Sequence, residues 1–233
     1  MGFPYHFSLY KRSTKQHKSS NKASQNKKQW SPDPATFMTS WEVGKMLLAA
    51  EQRKSHSWTG VKDWIFVVLG LNTGLRISEI ASLQCHHVIV SGAIYSHVLV
   101  ANGKGDKARR VPLNAPSLEA IANYIQLKAS FGEKIVGEEP FLRSPIGASH
   151  YSRWGLYKAF KRVLALAEGI ENPGRFHPHS MRHTFGTHLY RSSNYNLRLV
   201  QELLGHSHSR VTEVYASIFD PDRTEALEGL YGE

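Results

Sequence analysis

The stretch His177–Tyr215, HPHSMRHTFGTHLYRSSNYNLRLVQELLGHSHSRVTEVY, decides the fold of this chain. Its apolar residues recur at helical spacing in three short runs, which predicts three consecutive helices. Asn196 is expected to cap the second helix and Ser209 the third, because both side chains can accept hydrogen bonds from a first turn. Gly205 is expected to end the second helix, since glycine readily adopts the left-handed backbone that closes many helices.

The three predicted helices place four polar side chains at fixed positions relative to the helix ends and faces. The first helix is expected to open at Ser180 or His179, and Arg182 shares a face with His179 because residues three apart are neighbours on a helix. His206 follows directly after the predicted end of the second helix, and Tyr215 lies on the third. A cation, two imidazoles and a phenol brought together suit chemistry on a phosphodiester.

The composition limits the class of protein. The 233 residues, 41% of them hydrophobic, can bury one good core with at most a small appendage. Lysine and arginine total 29 against 19 acidic residues, a surplus that favours nucleic acid or an anionic membrane surface as partner. No apolar run reaches the length of a membrane span, and a single cysteine favours a reducing compartment. We expect a cytoplasmic, nucleoid-associated protein that does not enter the membrane.

The positive charge is concentrated at the start of the chain. Residues 1–32 contain seven lysines and arginines and no acidic residue. This polar, aperiodic tail, residues 1–36, is expected to be disordered when free. Two interpretations stay open: a solvated leader, or an arm that follows DNA phosphates through side chains that include Lys11, Arg12, Lys15 and Lys18.

Helices are predicted over most of the remaining chain. The pattern Thr39-x-x-Glu42 is a capping box that opens the first of them. Further helices are expected at about 62–71, after the break at residues 73–74, and at about 117–129 and 151–167. The segments Val88–Val90, Ile94–Val100 and Arg109–Leu113 are rich in β-branched residues and predict strands. The expected fold is therefore mainly α with a small three-stranded antiparallel β-sheet, an α+β class.

Two further groups of residues suggest phosphate binding. Arg76 follows a glycine break at the start of a helix, where free N–H groups favour a phosphate. Lys104 lies on a glycine-rich hairpin tip and is followed by three more basic residues that we expect to contact DNA, namely Lys107, Arg109 and Arg110. Each feature also has a structural explanation: an i,i+3 ion pair between Arg76 and Glu79, or a solvated turn around Lys104.

Thirteen histidines raise the alternative of a metal site, above all at His177, His179 and His183. Zinc sites favour three or four ligands with cysteine or carboxylate partners, and the spacing here does not supply that set clearly. The histidines can equally be hydrogen-bonded caps. We therefore expect no metal site.

Four stretches, TGLRISEIASL, GKGDKARRVPL, HPHSMRHTFGTHL and LGHSHSRVTEVY, together resemble the tyrosine recombinase (phage integrase) family in order and spacing. The resemblance runs over about Leu71–Ser217 and covers the catalytic domain, residues 37–233. It implies a mostly helical domain with a three-stranded sheet at one edge. Family members usually carry a helical core-binding domain of about a hundred residues before it, whereas only some 36 residues precede the first helix here. We expect either a short complete member or a fragment.

The resemblance implies a role for each matching residue. Tyr215 would attack the scissile phosphorus, and Lys104 would protonate the 5′-oxygen that leaves. His179 would manage the tyrosine proton, and Glu79 would position Arg76 rather than react. The side chains that would hold the phosphate oxygens are Arg76, Arg182 and His206.

The resemblance also implies the cofactors and partners. No metal or nucleotide cofactor is required, and the partner is double-stranded DNA. The protein would assemble as a tetramer on paired DNA sites and be monomeric or weakly associated when free. A type IB topoisomerase, which reseals the cut DNA strand without joining it to a second duplex, is the alternative within the same chemistry. A non-catalytic DNA-binding regulator that kept the fold is the alternative from another class.

Deletion of residues 1–30 tests the two interpretations of the tail. If about four of the basic side chains engage DNA, the slope of log K against log salt should become shallower by about 3 to 4. Binding to specific and random DNA should weaken similarly, because phosphate contacts read no sequence. Salt titrations of DNA binding by both forms provide the measurement, and an unchanged slope would leave the tail as a passive leader.

Overall fold

The chain folds mainly into α-helices in the computed structural model, which describes residues 36–100, 108–147 and 149–205. The mainly α fold with antiparallel strands that the sequence predicts is confirmed within these ranges. The helices are α1 (Ser40–Lys54), α2 (Trp58–Thr73), α3 (Ile77–Ala81), α4 (Ala115–Ser130), α5 (Arg153–Leu164), α6 (Pro178–Ser192) and α7 (Leu197–Leu204). The strands are β1 (Ile89–Val90), β2 (Ala93–Ile94), β3 (His97–Val100) and β4 (Arg109–Pro112).

Helix α2 lies at the centre of the fold. Its sequence is mostly apolar and most of its residues are buried, as in a helix surrounded by others, and it packs against α1, α4, α5 and α6. Gly70 lets α6 come close: a Cβ at this position would lie 2.6 Å from Met181 Cε. None of the described helices, α2 included, is long and apolar enough to cross a membrane.

Local capping signals fix the helix ends. Thr39 and Glu42 form the predicted capping box, with Glu42 N donating to Thr39 Oγ1 and Thr39 N to Glu42 Oε2. Helix α2 is longer than predicted at both ends, because Ser57 caps its start and Gly74 closes it in the left-handed conformation. Helix α7 begins at its predicted Asn196 cap.

Helix α6 begins earlier than predicted. Its cap is His177 and its first residue is Pro178, so the prediction of a start at Ser180 or His179 is wrong. Proline suits the first helical position because it lacks an N–H that would have no partner there. Ser180 takes the third position, where its hydroxyl accepts a hydrogen bond from His177 N. The predicted third helix, which contains Tyr215, lies outside the described residues.

The prediction of one three-stranded sheet is also wrong for the described residues. The structure has two two-stranded antiparallel sheets, β1 with β2 and β3 with β4. The predicted strand Ile94–Val100 is divided, because Ile94 pairs with Ile89 while β3 pairs with β4 from His97 onward. The predicted turn at Ser91 and Gly92 is present, with positive φ at both residues as a tight hairpin turn requires.

A fully buried carboxylate ties three helices together. Asp63 of α2 accepts hydrogen bonds from Arg53 Nε of α1 at 2.7 Å and from Arg162 of α5, whose Nε and Nη2 lie 2.9 and 2.7 Å from its two oxygens. The Asp63 side chain is 0% exposed, so the two arginines must compensate its charge.

The substitution Asp63→Ala should lower the free energy of unfolding by about 3 to 5 kcal/mol, because it leaves both arginines without their shared partner. Urea denaturation followed by circular dichroism measures this. Glu51→Ala is the control, since Glu51 pairs with Lys54 at the surface and should cost less than about 1 kcal/mol. Equal effects of the two substitutions would contradict the conclusion that Asp63 ties α1, α2 and α5 together.

Candidate active site

Two helix ends meet where the predicted site lies. Gly74 closes α2 and Gly205 closes α7, both with left-handed backbone. The α2 end has no room for a side chain: a Cβ on Gly74 would lie 2.4 Å from Phe185 Cδ1 and 2.8 Å from Leu204 Cδ2. The ends of α2 and α7 are therefore packed against each other and against α6.

Arg182 holds these two ends together. Its Nη1 donates to Gly74 O at 2.7 Å and its Nη2 to Leu204 O at 2.6 Å. The last carbonyls of a helix have no partner within the helix, and they carry the negative end of its dipole. A guanidinium with two such acceptors satisfies them and fixes its own orientation. Arg182 is 2% exposed.

Arg76 lies beside this junction, at the cap of α3. Its backbone N–H donates to Glu79 Oε2 at 2.7 Å, and its Nη1 donates to Glu79 Oε1 at 2.9 Å. Its Nη2 is 3.5 Å from Gly205 O, the long limit of a hydrogen bond. The side chain is 28% exposed, so the guanidinium reaches the surface while Glu79 holds one edge of it.

Glu79 has a second arginine partner that the sequence did not indicate. Arg109 Nη1 and Nη2 donate to the two carboxylate oxygens at 2.8 Å each. Burial alone would raise the pKa of Glu79, but the hydrogen bonds and charges of Arg109 and Arg76 outweigh it and lower the pKa to about 2. The pair joins residues 30 positions apart, so no local pattern could have revealed it. That Arg109 contacts DNA stays a prediction.

His179 completes the described part of the site. Its ring packs edge-on against the His183 ring, with 4.5 Å between the centroids. Desolvation by the surrounding protein, followed by the charges of Arg182, His177 and Arg76, lowers the pKa of His179 to about 4. The imidazole is therefore neutral at neutral pH and can accept a proton.

The described residues contain no group of three histidines, cysteines or carboxylates placed to hold a metal ion. The rings of His177 and His179 are 6.4 Å apart between centroids.

Arg110 is exposed on β4, beside the half-buried Arg109. The other predicted site residues lie outside the described ranges: Lys104, Lys107, His206, Tyr215, Lys11, Arg12, Lys15 and Lys18.

A mainly helical domain that gathers two arginines, a carboxylate and a neutral imidazole at one junction is suited to binding a phosphodiester. The chain belongs to the phage integrase family, whose family model matches residues 36–221. The resemblance carried by the four sequence stretches is confirmed.

Individual relatives agree with this membership. A tyrosine recombinase of Pseudothermotoga lettingae is 33% identical over 193 residues, covering 82% of this chain and 62% of that protein. Tyrosine recombinase XerC of Escherichia coli O157:H7 is 32% identical over 178 residues, covering 72% of this chain and 55% of that protein. The chain thus spans 55 to 62% of the length of these two relatives.

Solved structures share the fold. The XerH site-specific recombinase, in a pre-cleavage complex with its difH substrate, superposes with a TM-score of 0.69 at 26% identity, covering 85% of this chain and 55% of that chain. The XerA recombinase has the same fold at 20% identity, with a TM-score of 0.64 and coverage of 84% of this chain and 66% of that one.

The pKa of His179 can be measured by NMR titration of its ring resonances, with an expected midpoint near 4. Since a histidine in the unfolded chain titrates near 6.5, the unfolded state binds more protons between about 6.5 and 4, and this group lowers the stability of the fold as pH falls through that window. Arg76→Gln should raise the midpoint, because it removes a nearby positive charge. A midpoint near 6.5 in the unsubstituted protein would show that the pKa of His179 is not lowered.

Proposed function

We propose that this chain is the catalytic part of a site-specific DNA recombinase that breaks and rejoins strands through a 3′-phosphotyrosyl intermediate. The observation that carries the proposal is the convergence of Arg182, Arg76 and Glu79 where α2 and α7 end, one residue before His206. Two relatives are named tyrosine recombinases, and XerH was solved with its substrate, which supports the same class of activity here.

In the proposed reaction the two arginines bind the scissile phosphate. Arg182 is fixed by two carbonyls and Arg76 by Glu79, so both guanidinium groups are oriented before the substrate arrives. Fixed donors aimed at a phosphate stabilise the negative charge that grows in the transition state without reorganising during the reaction. His206 would donate a third hydrogen bond to the same oxygens.

The covalent step is a transfer of the phosphoryl group to Tyr215. The phenol oxygen attacks phosphorus and gives its proton to neutral His179, while the bond from phosphorus to the 5′-oxygen breaks. Lys104 would protonate that 5′-oxygen, which leaves as a hydroxyl. The phosphotyrosine retains the bond energy for religation, so the proposed chemistry uses no metal or nucleotide cofactor.

Double-stranded DNA is the proposed partner. Residues 37–233 would form the catalytic domain and residues 1–36 a basic tail that contacts phosphates, as would Lys107 and Arg110. The protein is proposed to be monomeric or weakly associated when free and to form a tetramer on two paired sites in the nucleoid. A native gel of protein with one-site and two-site DNA would test this assembly.

The decisive experiment is covalent capture on DNA. Sites are first trapped from genomic fragments and sequenced, and the chain is then incubated with a duplex of that sequence nicked beside the cleavage point. The released fragment diffuses away, so the adduct accumulates. If no adduct forms, a non-catalytic DNA-binding regulator becomes the favoured function. Adduct without joining of two different duplexes would favour a topoisomerase.

The substitution Tyr215→Phe should abolish the adduct completely, because only the attacking hydroxyl is lost. Denaturing gels of end-labelled DNA measure the adduct. Tyr195→Phe is the control, since Tyr195 is an exposed tyrosine that precedes Tyr215 in the chain, and this variant should still yield adduct. Adduct formation by Tyr215→Phe together with its loss in Tyr195→Phe would assign the nucleophile to Tyr195 instead.

A further inference from the structure

Arg109 occupies a junction between three functional segments. It is the first residue of β4 and pairs with Val100, the last residue of β3. These two residues therefore form the base of the segment that contains Lys104. From this base the Arg109 side chain extends to Glu79 at the start of α3. A single side chain thus links β4 to the carboxylate that holds Arg76.

The same side chain lies against the end of α7. A Cβ built on Gly205 would be 2.8 Å from Arg109 Cδ and 2.9 Å from its Nε. The arginine therefore fills the space beside this glycine, directly before His206 in the chain. Its Nε is buried without a hydrogen-bond partner among the described residues, and the side chain is only 14% exposed. Both terminal nitrogens of the guanidinium are directed at the Glu79 carboxylate.

Charge balance gives Arg109 a second effect. Glu79 carries one negative charge, and if Arg76 were its only partner, the carboxylate would cancel the charge that Arg76 offers to a phosphate. Arg109 makes a two-pronged contact with both carboxylate oxygens, the strongest geometry for such a pair. With Arg109 present, the cluster of Arg76, Glu79 and Arg109 keeps a net positive charge.

We infer that Arg109 is a positioning residue of the cleavage reaction, which orients Arg76 through Glu79 and fixes the base of the Lys104 segment against the α7 end. The inference rests on the proposed function. It replaces a direct DNA contact for this side chain with a role inside the protein. The pKa of Glu79, lowered in part by Arg109, agrees with this arrangement.

Arg110 provides a matched comparison for the test. It is the next residue, carries the same charge and is exposed, because successive side chains of a strand point to opposite faces. Removing Arg110 should raise the DNA concentration needed for half-maximal cleavage and reduce the salt dependence of binding. Removing Arg109 should act instead on the rate at saturating DNA.

The experiment is single-turnover cleavage of the nicked duplex by the full chain. Arg109→Gln should slow covalent adduct formation at saturating DNA by about 10- to 100-fold, since misplacement of catalytic groups by about 1 Å has effects of this size. Arg109→Lys should recover part of the rate, because an ammonium restores the charge but not the two-pronged contact. A loss confined to DNA affinity, as expected for Arg110→Gln, would overturn the inference.

A double substitution separates positioning from general damage to the fold. If Arg109 acts through Glu79, then Arg109→Gln should slow the reaction only slightly further in a chain that already carries Glu79→Gln, because the carboxylate through which it acts is gone. Two independent structural defects would instead have effects that multiply. A double variant slowed by the full product of the two single effects would overturn the inference.

Failure of the proposed function gives a different result. It would appear as no adduct with the unsubstituted chain, whereas failure of the inference would appear as normal adduct rates in Arg109→Gln. A measurement without DNA tests the contact between Arg109 and Glu79 directly. NMR titration of the Glu79 carboxyl should give a higher pKa in Arg109→Gln than in Arg110→Gln. Equal values in these two variants would overturn the link between Arg109 and Glu79.

Discussion

The rest of the structure depends on the double hydrogen bond of Arg182 to Gly74 O and Leu204 O. A guanidinium that is almost completely buried is stable only if its donors are satisfied, and the two carbonyls come from the ends of two different helices. The side chain therefore serves as a structural link and as a fixed cation. Any movement of α7 relative to α2 would change its orientation.

Around this link the site is organised by charge compensation. Glu79 accepts hydrogen bonds from both Arg76 and Arg109, and these contacts keep the carboxylate ionised despite its burial. Desolvation, together with the nearby charges of Arg182, His177 and Arg76, lowers the pKa of His179, so its imidazole is neutral. One cluster thus holds an ionised carboxylate and a neutral imidazole beside two oriented guanidinium groups, an arrangement that suits the proposed phosphoryl transfer.

Sequence patterns predicted those features that depend on neighbouring residues. The cap at Thr39, the cap at Asn196 and the two glycine ends at Gly74 and Gly205 follow from hydrogen bonds within a few positions. The predictions that failed involved a choice between local alternatives. Pro178 displaced the expected start of α6, and two different pairing partners divided the expected strand Ile94–Val100.

By itself the sequence determined the helical fold, the family and the spacing of Arg76, His179 and Arg182, because periodicity and motif order are properties of the linear chain. Only the tertiary structure decided which partners the charged side chains contact. Arg182 reaches a carbonyl 108 positions away, and Arg109 turns inward to Glu79 although its neighbour Arg110 faces solvent. Such contacts form between residues far apart in the chain, where packing of the helices and strands, and not local preference, selects the partner.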